Sequence, residues 1–192
     1  MVEQIKFLDE NGTFTLRRPE NVSGLYFPLA SETGLKSALS PNLGGDAKLD
    51  QETFLLEPVS IEDLHASRAT RNIWCKVDGS GVWSVTGVSA EQELVKFSPA
   101  QDDSQVTAGF MRHTLERTSR TFNLTAAVTS FVPKDRNVEI LLVSIENGGT
   151  YSRELSVYGA IPIYGRSAAN LRDHRNVTSM LHRIETTEHG VR

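Results

Sequence analysis

The sequence predicts an all-β fold, an antiparallel β-sandwich, on three observations. Four extended segments follow one another between residues 108 and 163, those at 122–131 and 153–161 alternating at period two; the breaks between them are short and polar; and helical periodicity is weak throughout. The first segment covers residues 110–117. Across Ser119, Arg120 and Thr121 it gives way to residues 122–131, where Phe122, Leu124, Ala126 and Val128 are apolar on one face, the pattern of a half-buried strand. Pro133, Lys134, Asp135, Arg136 and Asn137 make a turn, and residues 138–145 are β-branched and leucine-rich enough for a central strand. Glu146, Asn147, Gly148, Gly149 and Thr150 are expected to close a hairpin, with residues 153–161 returning antiparallel to the preceding strand.

The first half is less regular. Phe14 to Leu16, Leu25 to Phe27, Phe54 to Leu56 and residues 73–77 read as short strands between Gly, Pro, Asn and Asp, with Asp78, Gly79, Ser80 and Gly81 as a hairpin turn. Ser60 and Asp63 loosely match a capping box, so residues 60–65 are expected to form a turn of helix. No internal repeat or low-complexity linker occurs, and 192 residues fit one large domain, residues 1–192.

Composition narrows the function classes. With 20 Lys and Arg against 24 Asp and Glu the formal charge is −4, and the basic residues are scattered, which argues against nucleic acid as a partner. No apolar run reaches the roughly 18 to 20 residues of a membrane span, and no secretion signal or cysteine framework is visible, so no membrane partner and a cytoplasmic location are expected. The single cysteine, Cys75, reads as a buried strand residue. His113 and His182 read as core or surface histidines, and no metal site is assigned. The segment 164–192 is polar and dense in basic residues, and the chain is expected to be truncated there, the natural protein continuing past it.

No complete catalytic constellation is present: there is no phosphate-binding glycine loop, no His-Glu-x-x-His, no paired cysteines and no strand-elbow serine. The chain is therefore expected to carry no complete active site. Two polar clusters remain. Residues 164–179 offer Arg166, Asn170, Arg172, Asp173, His174, Arg175 and Asn176 directly after an apolar strand; arginine forks and amides match hydroxyl pairs, and Tyr164 can supply an apolar face. A solvated loop with structural ion pairs accounts for the same composition. Residues 63–72 place Arg68 and Arg71 ahead of a Trp-containing strand, where they cover an edge strand or dock against another domain. Trp83 reads as core or interface rather than a sugar-stacking platform.

At these clusters the sequence resembles the amino-terminal domain of the inverting β-glucoside phosphorylases of glycoside hydrolase family 94. The blocks are Tyr26 to Leu29, Ser40-Pro41-Asn42-Leu43-Gly44-Gly45-Asp46, residues 63–71, Val82-Trp83-Ser84, Thr129 to Val132 and, most specifically, residues 161–179. The resemblance implies a sandwich of the galactose mutarotase-like, supersandwich type, cut from an enzyme whose (α/α)6 barrel carries the catalytic aspartate. In that family the aspartate protonates the glycosidic oxygen while inorganic phosphate, a co-substrate rather than a cofactor, attacks the anomeric carbon with inversion and gives α-glucose 1-phosphate. No residue of this chain takes the acid role. By resemblance an Arg-Asn pair beside the sugar-acceptor side falls on Arg175 and Asn176, with Arg166 and His174 helping in the same loop. The resemblance further implies a β-linked oligosaccharide at the border with the barrel, and a homodimer in the full-length enzyme. Gly44 to Lys48 departs from the glycine- and aromatic-rich stretch of cellobiose phosphorylases, while residues 164–179 are more similar to the phosphorylases of β-1,2-linked oligoglucans. A stand-alone carbohydrate-binding module and a sandwich without a ligand are the alternatives; a large apolar patch favours the phosphorylase domain, and an exposed aromatic strip the binding module.

Overall fold

The computed structural model describes residues 5–22, 24–59, 70–171, 180 and 183–191. Among the described residues fifteen strands and one short α-helix follow in chain order: β1 Ile5–Phe7, β2 Phe14–Arg17, β3 Phe27–Ala30, β4 Lys36–Leu39, β5 Ala47–Lys48, β6 Phe54–Leu56, β7 Asn72–Val77, β8 Gly81–Ser84, α1 Ala90–Leu94, β9 Asp103–Gly109, β10 Arg112–Thr118, β11 Leu124–Phe131, β12 Ile140–Asn147, β13 Leu155–Ala160, β14 Thr186–Thr187 and β15 Gly190–Val191. The main sheet has the order β1-β2-β9-β10-β11-β12; smaller sheets are β13-β7-β8, β3-β4-β5-β6 and the hairpin β14-β15. Every pairing of named strands is antiparallel. The expected β-sandwich is the fold.

Period-two alternation builds its core. Along β9, β10 and β11 every second residue is buried: Ser104, Val106 and Ala108; His113, Leu115 and Arg117; Leu124, Ala126, Val128 and Ser130. Ile73, Cys75 and Val77 of β7 and Leu29 and Leu39 from β3 and β4 belong to the same apolar cluster. Cys75 is fully buried, and burial pushes its thiol pKa up, as a core residue requires.

Four expectations change. The strand expected over 110–117 starts at Arg112, because Phe110 and Met111 form the β9–β10 turn, Met111 with φ 53°; β9 itself had been passed over. The strand expected from Leu25 begins at Phe27. The strand over 138–145 is not central: β12 is the outer strand of its sheet, and Leu142 is 63% exposed. Nor does 153–161 return against it. β13 crosses to the other sheet and pairs β7 from Leu155↔Val77 to Ala160↔Asn72, with the Asp78 amide donating to the Glu154 carbonyl at the crossing. Alternation fixes which face of a strand is apolar and leaves its partner open. α1, capped by the Ser89 side chain accepting from the Gln92 amide, had no periodic signal because five residues make little more than one turn. The turn of helix expected from Ser60 lies outside the described residues. No helix among the described residues is long and apolar enough to cross a membrane.

β12 and β13 leave one flank of the core open. The inward-facing Leu141, Val143 and Ile145 of β12 and Leu155 of β13 pack against the core while only partly buried, and Val157, next inward on β13, is 50% exposed. Ile161 and Ile163, which follow β13 in the chain, are exposed and apolar as well.

Candidate functional site

After β13 the chain runs along the edge of the four-stranded sheet and is tied there by its backbone. The Tyr164 and Gly165 amides donate to the Leu55 carbonyl at 2.7 and 3.3 Å, the Arg166 amide to the Phe54 carbonyl at 3.2 Å, the Phe54 amide to the Arg166 carbonyl at 3.0 Å, and the Ala168 amide to the Gln51 carbonyl at 2.9 Å. Arg166 thus sits in an antiparallel bridge with Phe54 of β6. Its guanidinium carbon lies 4.3 Å from the Tyr164 ring centroid, and its Nε donates to the Tyr164 carbonyl at 3.3 Å. Tyr164 is buried and its hydroxyl donates to the Ser167 carbonyl. Burial raises the Tyr164 pKa, with the Arg166 charge acting in the opposite direction. The apolar face expected of Tyr164 is therefore already covered, by Arg166.

Arg166 lines a cleft of about 340 Å³ with Lys48, Glu52, Leu55, Asn137 and Gly165 among its walls. Its floor is apolar, from Leu35, Leu49 and Phe54. Lys48 stands 4.8 Å from the Phe54 ring centroid and 3.5 Å from the Asp46 carboxylate. Cationic and amide groups over an apolar floor match a sugar ring, whose rim of hydroxyls accepts and donates hydrogen bonds while its C–H face does neither. His174, Arg175 and Asn176, the other expected substrate contacts, lie outside the described residues, as do Arg172 and Asp173.

The second cluster turns out to be a strut. Residues 63–69, Arg68 among them, lie outside the described residues. Arg71 is 1% exposed: its Nε and Nη2 engage both oxygens of Glu139, its Nη1 donates to the Leu43 and Gly45 carbonyls, and its Nη2 reaches Ser37 Oγ at 2.8 Å and the Asp46 carbonyl at 3.1 Å. Rather than covering an edge, Arg71 ties the turn at residues 40–46 to the start of β7 and the approach to β12. Gly45 has φ 116°, and a Cβ there would collide with the Ala38 carbonyl, so the Gly44-Gly45-Asp46 block serves the turn.

Three polar features lie apart from these clusters; His113 was expected as a core or surface histidine, while Arg117 and the groove beside Trp83 were not expected. His113 is fully buried, its ring centroid 4.9 Å from that of Phe27; neither ring nitrogen finds a hydrogen-bond partner among the described residues, nor does Oγ of Ser130, opposite it on β11. Burial, with the Arg71 charge adding, pushes its pKa down to about 4, so the imidazole is neutral. Arg117, 2% exposed, lies 3.3 Å from Glu20, whose carboxylate also accepts from Ser104 Oγ. A third feature is a groove of about 270 Å³ between Trp74 and Phe122. At its base the Trp83 indole and the Gln92 amide donate to Asp102. Trp83 is buried, as core. His113, Leu115 and Arg117 alternate along one strand, and that spacing was the available sign that two polar side chains point inward. Among the described residues no cluster of three His, Cys, Asp or Glu side chains could hold a metal.

No curated protein matches the chain. The family model described as the glycosyl hydrolase 94 supersandwich domain matches residues 53–191, which takes in β6 through β15, Arg71 with Glu139, and the Arg166 bridge. That span is well over half of the chain, so the chain belongs to glycosyl hydrolase family 94 through its supersandwich domain.

Proposed function

We propose that this chain is the amino-terminal, non-catalytic, carbohydrate-contacting domain of an inverting glycoside phosphorylase, one that cleaves β-glucosides with inorganic phosphate to give α-glucose 1-phosphate. The observation that carries this reading is the open flank. A stand-alone binding module would close its own core, whereas here the inward-facing Leu141, Val143 and Ile145 of β12 and Leu155 of β13 stay only partly buried and Val157 is half exposed. An apolar margin of that kind needs covering by further protein, and a catalytic barrel of the same enzyme supplies it. The Arg166 cleft supports the carbohydrate half of the reading, with Arg175, Asn176 and His174 of the same loop as further contacts to the acceptor end of the oligosaccharide. The enzyme is a cytoplasmic homodimer in this reading.

Two experiments test it. The purified chain, given a β-glucan and inorganic phosphate, is expected to release no glucose 1-phosphate, because the general acid lies elsewhere; release would overturn the non-catalytic assignment. In the phosphorylase carrying this domain, Arg175→Ala removes a charged hydrogen bond of about 1.5 to 3 kcal/mol, so kcat/KM for the oligosaccharide should fall roughly ten- to two-hundredfold with the melting temperature unchanged. Unchanged kinetics would remove Arg175 from the site.

A further inference from the structure

The sequence contains two Glu-Asn-Gly triplets, ending at Gly12 and Gly148, each beside the end of a strand. An asparagine followed by glycine is open to attack by its neighbour's amide nitrogen, because glycine has no side chain to hold that nitrogen off. With identical flanking residues, the folded structure alone distinguishes the two. We propose that Asn11 is a site of spontaneous deamidation in the folded chain and that Asn147 is protected from it.

The reaction balances without enzyme, oxidant or reductant. Base takes the Gly12 amide proton and the nitrogen bonds to Cγ of Asn11. The Cγ–Nδ2 bond breaks, ammonia leaves with a proton, and a five-membered succinimide closes. Water then opens either carbonyl of the ring, leaving aspartate or isoaspartate at position 11. The net change is one water consumed and one ammonia released.

At Asn147 all the groups this requires are held. The Gly148 amide donates to the Asn123 carbonyl at 3.0 Å, Oδ1 of Asn147 accepts from the Gly149 amide at 3.0 Å, and Nδ2 donates to the Tyr151 carbonyl at 2.8 Å. The residue also ends β12, in register with Leu124. At Asn11 the opposite holds. Asn11 and Gly12 are exposed in the β1–β2 turn, Gly12 has φ 83° with no atom within 4 Å of where a Cβ would stand, and only the Asn11 backbone amide is engaged, by Oδ1 of Asp9 at 2.9 Å. Among the described residues nothing accepts from the Gly12 amide or binds the Asn11 side chain.

The product matters locally. A third carboxylate joins Asp9 and Glu10, and isoaspartate lengthens the backbone between the two amides that Asp9 Oδ1 holds, those of Asn11 and Thr13. β1 has β2 as its one sheet neighbour, so loosening this turn releases an edge strand.

The test is to hold the chain at mildly alkaline pH, once folded and once in concentrated urea, and to follow both asparagines by peptide mass spectrometry. In the folded chain Asn11 should convert at least about tenfold faster than Asn147, the equivalent of one hydrogen bond that must open before Gly148 can attack. In urea the two rates should converge. Equal folded-state rates, a faster Asn147, or an Asn11 that converts only in urea would each overturn the proposal, as would a Gly12→Ala chain whose Asn11 converts undiminished.

Discussion

Arg71 and Arg166 sit in two stretches of similar composition, each a run of Arg, Asn, His and Asp beside a strand, and the fold uses them in opposite ways. Arg71 is enclosed, with Glu139, Ser37 and three backbone carbonyls as acceptors inside the protein. Arg166 is held by its backbone against β6 while its side chain lies over Tyr164 at the mouth of a cleft. An arginine enclosed with its acceptors inside the protein holds the fold together; one whose backbone is fixed and whose half-buried side chain borders a cleft can also meet a ligand there. Composition is blind to that distinction, since it depends on residues such as Glu139 and Phe54 that are far away in sequence.

The comparison can be broken most sharply at Arg71. Arg71→Met leaves the nearly buried Glu139 carboxylate without its cation, with the Ser37 hydroxyl still donating to it, a loss of about 3 to 5 kcal/mol, which for a domain of this size lowers the melting temperature by roughly 6 to 20 °C. Replacing Glu139 by Leu in the same chain should recover part of that loss, and a double-mutant cycle in denaturant measures the recovery. An Arg71→Met chain as stable as the parent would mean the strut carries nothing.

Next in size is His113. Its pKa in the fold, about 4, lies below the ordinary histidine value of 6.5, so the unfolded chain binds a proton that the folded chain refuses. The stability this represents is fully present above pH 6.5 and is lost as pH falls from 6.5 toward 4, by about 3 kcal/mol in all. Denaturant melts across that range check it, and His113→Leu should flatten the slope. Since a buried polar group without a partner is replaced by an apolar one, that variant should be no less stable than the parent at neutral pH.

The smallest stability effect belongs to Arg166. Arg166→Ala gives up at least the stack on Tyr164 and the Nε hydrogen bond to the Tyr164 carbonyl at a half-buried site, about 1 to 2 kcal/mol, read as a shift of several degrees in thermal melts. A loss on the scale of Arg71→Met would make Arg166 a second strut.

The sandwich was legible because β10 and β11 bury every second residue, whereas β9 escaped notice because its buried positions, Ser104, Val106 and Ala108, are mostly small. Strand partners were not legible, since β13 alternates equally well against β12 or β7, and only the crossing at Glu154 and Asp78 decides for β7. β12 misled for a related reason: its apolar residues suit a central strand, yet it is the outer strand of its sheet. In the candidate cleft, Arg166 was expected from residue type and from family resemblance, whereas Lys48, Glu52 and Asn137, which line it too, come from three other loops and strands. His113 looked unremarkable because burial, the property that sets its pKa, is not written in its immediate neighbours.

The division between strut and site is tested most directly by titrating the isotope-labelled chain with a β-linked gluco-oligosaccharide and following backbone amide resonances. The expected result is that Lys48, Phe54, Leu55 and Arg166 shift together, that Arg166→Ala abolishes the response, and that the surroundings of Arg71 stay still. Shifts confined to the Trp74 and Phe122 groove, or a cleft that stays silent at saturating sugar, would contradict it.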